Sequence, residues 1–246
     1  MRPLFSTLLL FTLFFSQFAI ANSPHKPSPI EAYGSLPTKS MVVISPNASR
    51  IAYRDTSTEE DMLVVIDLEK GELVAGVSIS QVNPNQIYFI DEDTLVLVAS
   101  DHRKILGYRG RHNISAAFSF NIKSNEIRQL LVAGSGIYSG QSELGNIVGV
   151  SKNKKYAYMP AWQSKGVYSL FKVNLLKRRT PKVAKKGSYD TTDFFVGEDG
   201  EILARERYDN KKDLHRIEAY RDGDWHEIYR EEAPIPSKGF YGLTPD

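Results

Sequence analysis

The sequence predicts an all-β protein assembled from small repeated sheets, and three observations carry that prediction. Short runs are rich in β-branched and aromatic residues, Gly- and Asn-containing clusters separate them, and one corner motif returns at nearly constant spacing. No amphipathic pattern of three helical turns occurs after residue 30.

The chain opens on a short basic start, Met1-Arg2-Pro3, then an apolar run from Leu8 to Ile20, then the small-x-small pattern Ala19-Ile20-Ala21. This is the pattern of a secretory signal peptide over residues 1–21, and the apolar run is shorter than the ~20 residues of a spanning helix. The expected location is therefore exported, periplasmic or secreted. Cleavage after Ala21 would leave 225 residues with formal charge +1. Residues 22–40 contain four prolines and little apolar periodicity, which predicts an extended lead-in.

From residue 41 the predicted strands follow one another. Met62–Leu68, Thr94–Val98, Ala117–Ile122 and Tyr168–Val173 are short and often alternating. Glu69-Lys70-Gly71-Glu72, Lys123-Ser124-Asn125-Glu126, Glu198-Asp199-Gly200-Glu201 and Arg221-Asp222-Gly223-Asp224 place Gly or Asn where a hairpin needs positive φ.

Two registers repeat. The first is an apolar residue, a polar corner and a renewed strand, anchored at Ser45, Asp91, Ser151, Gly197 and Thr244, in steps of 46, 60, 46 and 47 residues. The second is a strand end running into a turn, at Ile66-Asp67-Leu68, Phe120-Asn121-Ile122, Val173-Asn174-Leu175 and Glu218-Ala219-Tyr220, in steps of 54, 53 and 45. A four-stranded unit of about 40–50 residues is the period of a β-propeller blade. A β-sandwich also has short strands, but it does not return one corner at this period.

The prediction is a partial β-propeller over 41–246, with blades at roughly 41–80, 81–135, 140–187 and 190–233 and the start of a fifth at 234–246. The long step is assigned to a loop insertion at Asp101–Asn113, between a strand ending at Ala99 and one beginning near Ser115. Gly134-Ser135-Gly136 is assigned to a flexible connection between the second and third blades.

Ile30-Glu31-Ala32-Tyr33-Gly34-Ser35-Leu36-Pro37, followed by Met41 to Tyr53 with its Ile44-Ser45-Pro46-Asn47 corner, resembles the opening of a known propeller. So does Leu106-Gly107-Tyr108-Arg109-Gly110 followed by Ser115-Ala116-Ala117-Phe118. The resemblance is to the N-terminal propeller of exported bacterial serine peptidases of the prolyl oligopeptidase family, in the dipeptidyl and acylaminoacyl peptidase branch. It implies a propeller of about seven blades that screens peptides for a C-terminal α/β-hydrolase domain. The nucleophile elbow Gly-x-Ser-x-Gly of that domain is not present in this sequence, so the chain alone is expected to lack activity. The resemblance therefore implies a propeller truncated before its catalytic domain, with peptides as partners. The alternative is a stand-alone periplasmic propeller serving as a binding or scaffold protein.

Other chemistry is limited by composition. There are no cysteines, so disulfides, thiolate metal sites and cysteine nucleophiles are excluded. The five histidines show no i,i+2 or i,i+4 pairing, and no metal or cofactor is expected. Glu231-Glu232 is not assigned the role of the paired glutamates that hold a substrate amino terminus in dipeptidyl peptidases. The basic run at Lys177-Arg178-Arg179, Lys182, Lys185 and Lys186 is assigned to a solvated outer strand, because a formal charge of +2 argues against nucleic-acid binding. No stable membrane association is expected once the leader is removed. The insertion holds the candidate substrate-binding residues, Arg109 and Arg111, whose guanidinium groups suit a bidentate contact with a peptide carboxylate.

Overall fold

The computed structural model describes Gly34 and residues 36–242, apart from Leu106 and Ser135. The leader, most of the lead-in and the last corner, Leu243–Asp246, lie outside the described residues. From Lys39 onward every regular element among the described residues is a β-strand.

The strands form four antiparallel meanders in chain order. The first sheet holds β1 (Lys39–Ile44), β2 (Arg50–Asp55), β3 (Met62–Asp67) and β4 (Leu73–Ser78). The second holds β5 (Asn83–Asp91), β6 (Thr94–Arg103), β7 (His112–Asn121) and β8 (Glu126–Gln129), with the short β9 (Glu143–Leu144) lying parallel to β7. The third holds β10 (Gly149–Val150), β11 (Tyr156–Trp162), β12 (Tyr168–Asn174) and β13 (Lys182–Lys186). The fourth holds β14 (Thr191–Val196), β15 (Ile202–Asp209), β16 (Leu214–Arg221) and β17 (Asp224–Glu232). First strands of neighbouring sheets touch, β1 with β5 and β10 with β14, as they do around the axis of a propeller. These sheets are blades of a partial β-propeller.

Three apolar cores hold the four blades together. Ala52, Leu63 and Val65 of blade one meet Leu95, Leu97 and Phe120 of blade two. Val96 and Ala117 of blade two meet Met159, Phe171 and Val173 of blade three. Tyr158 and Leu170 of blade three meet Phe194 of blade four. This explains the unbroken apolar run Leu95-Val96-Leu97: both faces of β6 are buried, each against a different blade.

The corners of blades one and three share one hydrogen-bond design. Ser45 Oγ donates to Asn47 Oδ1 (3.0 Å) and accepts from Arg50 N–H (3.1 Å). Ser151 Oγ donates to Asn153 Oδ1 (2.9 Å) and accepts from Tyr156 N–H (3.0 Å). The residue after the asparagine of each of these two corners, Ala48 and Lys154, adopts positive φ (58° and 55°). Each corner also reaches the next blade. Asn47 N–H donates to Glu92 Oε1 (2.8 Å), and Lys152 pairs with Asp199 (2.7 Å).

The second register is an Asx turn. Asp67, Asn121 and Asn174 each accept backbone N–H groups two or three residues ahead, which closes the hairpin between the third and fourth strands. Blade four closes the same hairpin with Asp222 and Gly223, both at positive φ.

Two expectations are corrected. Both ends of the segment Asp101–Asn113 are strand rather than loop, because Asp101 pairs with Ile114, His102 with Asn113 and Arg103 with His112. The described residues between these strands, 104–105 and 107–111, form no strand. Gly134 and Gly136 do not form a free connection. Gly134 and Ile137 exchange backbone hydrogen bonds, Ile137 is buried, and Gly136 O accepts from Ser164 N–H (2.9 Å).

The meanders define two ends of the molecule. The Ser-x-Asn corners and the Asx turns lie at one, the corner end. The hairpins between second and third strands lie at the other with the chain segments that join blades, the connector end.

Candidate functional site

A cavity of about 590 Å³ opens at the connector end between blades three and four. Three separate segments build it: the connector Tyr138–Glu143, the β11–β12 hairpin from Trp162 to Tyr168, and the start of β14 at Thr191 and Thr192. The hairpin ends with Trp162 directly opposite Tyr168, because the turn between them contains Gly166 at φ 72°. The two rings lie 5.1 Å apart.

Gln141 fixes the connector to this hairpin. Its side-chain amide donates to Tyr138 O (2.9 Å) and Trp162 O (3.1 Å), and its Oε1 accepts from Trp162 N–H (2.9 Å). Tyr138 N–H also donates to Trp162 O (2.8 Å). Gln163 donates to the buried Ser169 Oγ (2.7 Å), so the hairpin is tied down on both sides.

An aromatic series runs from the cavity into the interface between blades three and four. Tyr168 stacks on Phe194 at 6.3 Å, Phe194 meets Trp225 at 6.5 Å, and Trp225 meets Tyr220 at 4.9 Å. Arg205 sits over the Trp225 ring at 4.4 Å, and Lys185 sits over Tyr220 at 3.7 Å. Burial pushes the Tyr168 hydroxyl up to about 12, with smaller contributions from Asp193 and Glu143. It therefore stays an O–H group through the neutral and alkaline range.

Below Thr191 lies a buried ionic cluster. Asp190, at 1% side-chain exposure, accepts from Arg207 Nε (3.1 Å) and Nη2 (2.9 Å), from Arg216 Nη2 (3.0 Å) and from Ser188 Oγ (2.5 Å). Glu218 in turn accepts from Arg205 (2.5 Å) and Arg207 (2.9 Å). Burial acts to raise the Asp190 carboxyl, but the Arg207 and Ser188 hydrogen bonds outweigh it, and its pKa falls below the ordinary value.

The sequence candidates stand at the same end of the molecule. Arg109 and Arg111 lie in the β6–β7 tip, and the tip reaches the cavity wall through a hydrogen bond between the Tyr108 and Tyr138 hydroxyls. Arg111 is exposed and donates from Nε and Nη2 to His102 O, which closes the hairpin. Arg109 is exposed too, and among the described residues its guanidinium has no hydrogen-bond partner. The structure thus separates them: Arg111 has two donors committed to its own loop, and Arg109 has none committed among the described residues. Glu231, next to the last residue of β17, Glu232, accepts from Ser237 N–H (3.0 Å) and Oγ.

Sequence reasoning missed the cavity's own residues. Trp162 is one of two tryptophans, and a Trp facing a Tyr across a short Gly-containing hairpin was the available clue. Among the described residues Glu143 is the one charged side chain lining the cavity. Rings, side-chain amides and hydroxyls suit this cavity to holding an extended polar ligand.

No protein-family model matches the chain, and no curated protein does. Among solved structures it is similar to an uncharacterized protein of Listeria monocytogenes (12% identity, TM-score 0.45, 79% of this chain and 52% of that one). It is also similar to the acylaminoacyl peptidase of Pyrococcus horikoshii (15% identity, TM-score 0.44, 80% of this chain and 33% of that one). A third is TolB of Acinetobacter baumannii (14% identity, TM-score 0.41, 77% of this chain and 43% of that one). The chain spans about a third to a half of the length of these proteins. Likeness at this level carries no argument about chemistry.

Proposed function

We propose that this chain is the propeller part of an exported serine peptidase of the prolyl oligopeptidase kind, and that it receives and orients peptides for a hydrolase domain outside residues 1–246. The observation that carries this reading is the connector-end cavity, with a Trp162–Tyr168 wall, anchored amides and the Arg109 tip beside it. An extended peptide offers backbone N–H and C=O groups to such amides and hydroxyls, and its side chains to the rings. A free C-terminal carboxylate suits the open guanidinium of Arg109. The resemblance of Met41–Tyr53 and Gly107–Phe118 to the family's propeller adds support of a different kind.

The test uses the two tryptophans. Trp225→Phe leaves Trp162 as the sole indole reporter, and an N-acetylated tetrapeptide should then shift its emission on titration. Arg109→Gln should weaken binding of the free-acid peptide about tenfold, the scale of one charge-assisted contact, and leave its C-terminal amide unaffected. A Trp162 emission unmoved by any peptide rules out the peptide-receiving role, and the scaffold alternative then stands.

A further inference from the structure

Blade three differs from its neighbours in charge. Between Glu143 and Asp190 the chain carries eleven Lys and Arg and no Asp or Glu, whereas residues 191–232 carry thirteen acidic and seven basic side chains. The formal charge of +2 hides this separation, because the excess on one blade cancels against the next. Three of the eleven cations are engaged: Lys152 pairs with Asp199, Lys172 lies over the Tyr156 ring at 4.5 Å, and Lys185 lies over Tyr220. The other eight form no ion pair among the described residues.

The fold gathers six of these eight at the corner end. Leu175 N–H donates to Lys155 O (2.9 Å), which brings the Lys154-Lys155 corner against the Asn174 turn that carries Lys177, Arg178 and Arg179. Lys182 opens the edge strand that leaves this turn. All six are exposed, and two aliphatic side chains stand exposed among them, Leu176 at 43% and Val183 at 47%.

We infer that the corner end of blade three docks reversibly on the anionic phospholipid surface of a bilayer. Cations without acidic partners gain most from a surface whose phosphates can move to meet them. Exposed aliphatic residues amid such cations suit the headgroup boundary, where apolar atoms leave water while the charges stay at the surface. The patch is a convex turn and edge strand with no aromatic side chain between residues 174 and 186, so it has no platform on which nucleic-acid bases stack. Docked this way, the connector end and its cavity face away from the bilayer.

The test is co-sedimentation of the full chain with vesicles of phosphatidylcholine containing about 30% phosphatidylglycerol, against pure phosphatidylcholine, at about 50 mM salt. The neutral vesicles measure the charge-independent contribution of the apolar Leu8–Ile20 stretch. The expected partition to anionic vesicles exceeds the neutral value at least tenfold and collapses at about 500 mM salt. Each cation at such a surface contributes roughly fivefold, so Lys177→Gln, Arg178→Gln and Arg179→Gln together should remove at least tenfold. Lys211→Gln, Lys212→Gln and Arg221→Gln, which remove the same charge from exposed sites on blade four, should change it less than twofold. Equal partition to both vesicle types, equal loss in both triple variants, or retention of single-stranded DNA in place of anionic vesicles overturns the proposal.

Discussion

Replacing Asp190 with alanine is expected to destabilise the chain by about 3–5 kcal/mol, the cost of leaving buried charge without its partner. Asp190 bridges Arg207 and Arg216, whose side chains are only 18% and 20% exposed, and Arg216 Nε already has no partner. Without the carboxylate, Arg205 and Arg207 share Glu218, and Arg216 loses the ion pair it makes with Asp190. The effect should register as a lowered urea midpoint with unchanged m-value. Asp190→Leu combined with Arg207→Met and Arg216→Met should recover much of the loss, because apolar replacement of the carboxylate and both of its arginine partners removes the desolvation cost as well. The pH dependence follows from the lowered carboxyl. Its contribution is complete at neutral pH and is lost as pH falls below about 3.8 through the lower native value. Wild type and Asp190→Asn should therefore converge in acid. The loss should also reach the cavity, since Asp190 O accepts Tyr208 N–H (2.7 Å) just before the Thr191 wall. A change below about 1 kcal/mol would show the cluster to be solvated.

Phe194→Ala is the second large effect. Phe194 is 1% exposed and is the link between Tyr168 and Trp225 at the interface of blades three and four. Deleting a fully buried phenyl costs about 3–5 kcal/mol through lost burial and the cavity left behind. For a chain of this size that is a drop in Tm of roughly 10 °C. Phe194→Leu should cost far less, because it keeps most of the volume. Tyr168 loses its stacking partner in the alanine variant, so peptide affinity measured at Trp162 should fall along with stability. A variant that melts near wild type and binds peptide as wild type does would show that the aromatic series does not hold the cavity in shape.

The blade architecture was legible in the sequence because its turns are local. Ser45 and Ser151 with Asn47 and Asn153 close their corners through hydrogen bonds of their side chains within five residues, so the same residue types return in blades one and three at the same place in the meander. The apolar run at Leu95–Val98 was equally readable. The long β6–β7 hairpin was not, since Asp101, His102 and Arg103 have the composition of a loop and are strand only through their partners on β7. The cavity was illegible for a related reason. Its walls come from residues 138–143, 162–168 and 191–192, which meet only when a connector packs on a hairpin, and no periodicity encodes that. Arg109 and Arg111 were picked out by residue type and loop position, and only the hydrogen bonds of Arg111 to His102 distinguish the two. Whole-chain charge likewise concealed the contrast between blades three and four.

The proposed service of this propeller to a serine hydrolase domain is tested most directly by the DNA sequence from codon 200 through about 1.5 kilobases past codon 246, enough for roughly two further domains. The predicted result is a reading frame, continuous or restored by a single frameshift, that runs through more blades into Gly-x-Ser-x-Gly with a later Asp and His. A stop codon with no hydrolase sequence beyond it would contradict the claim.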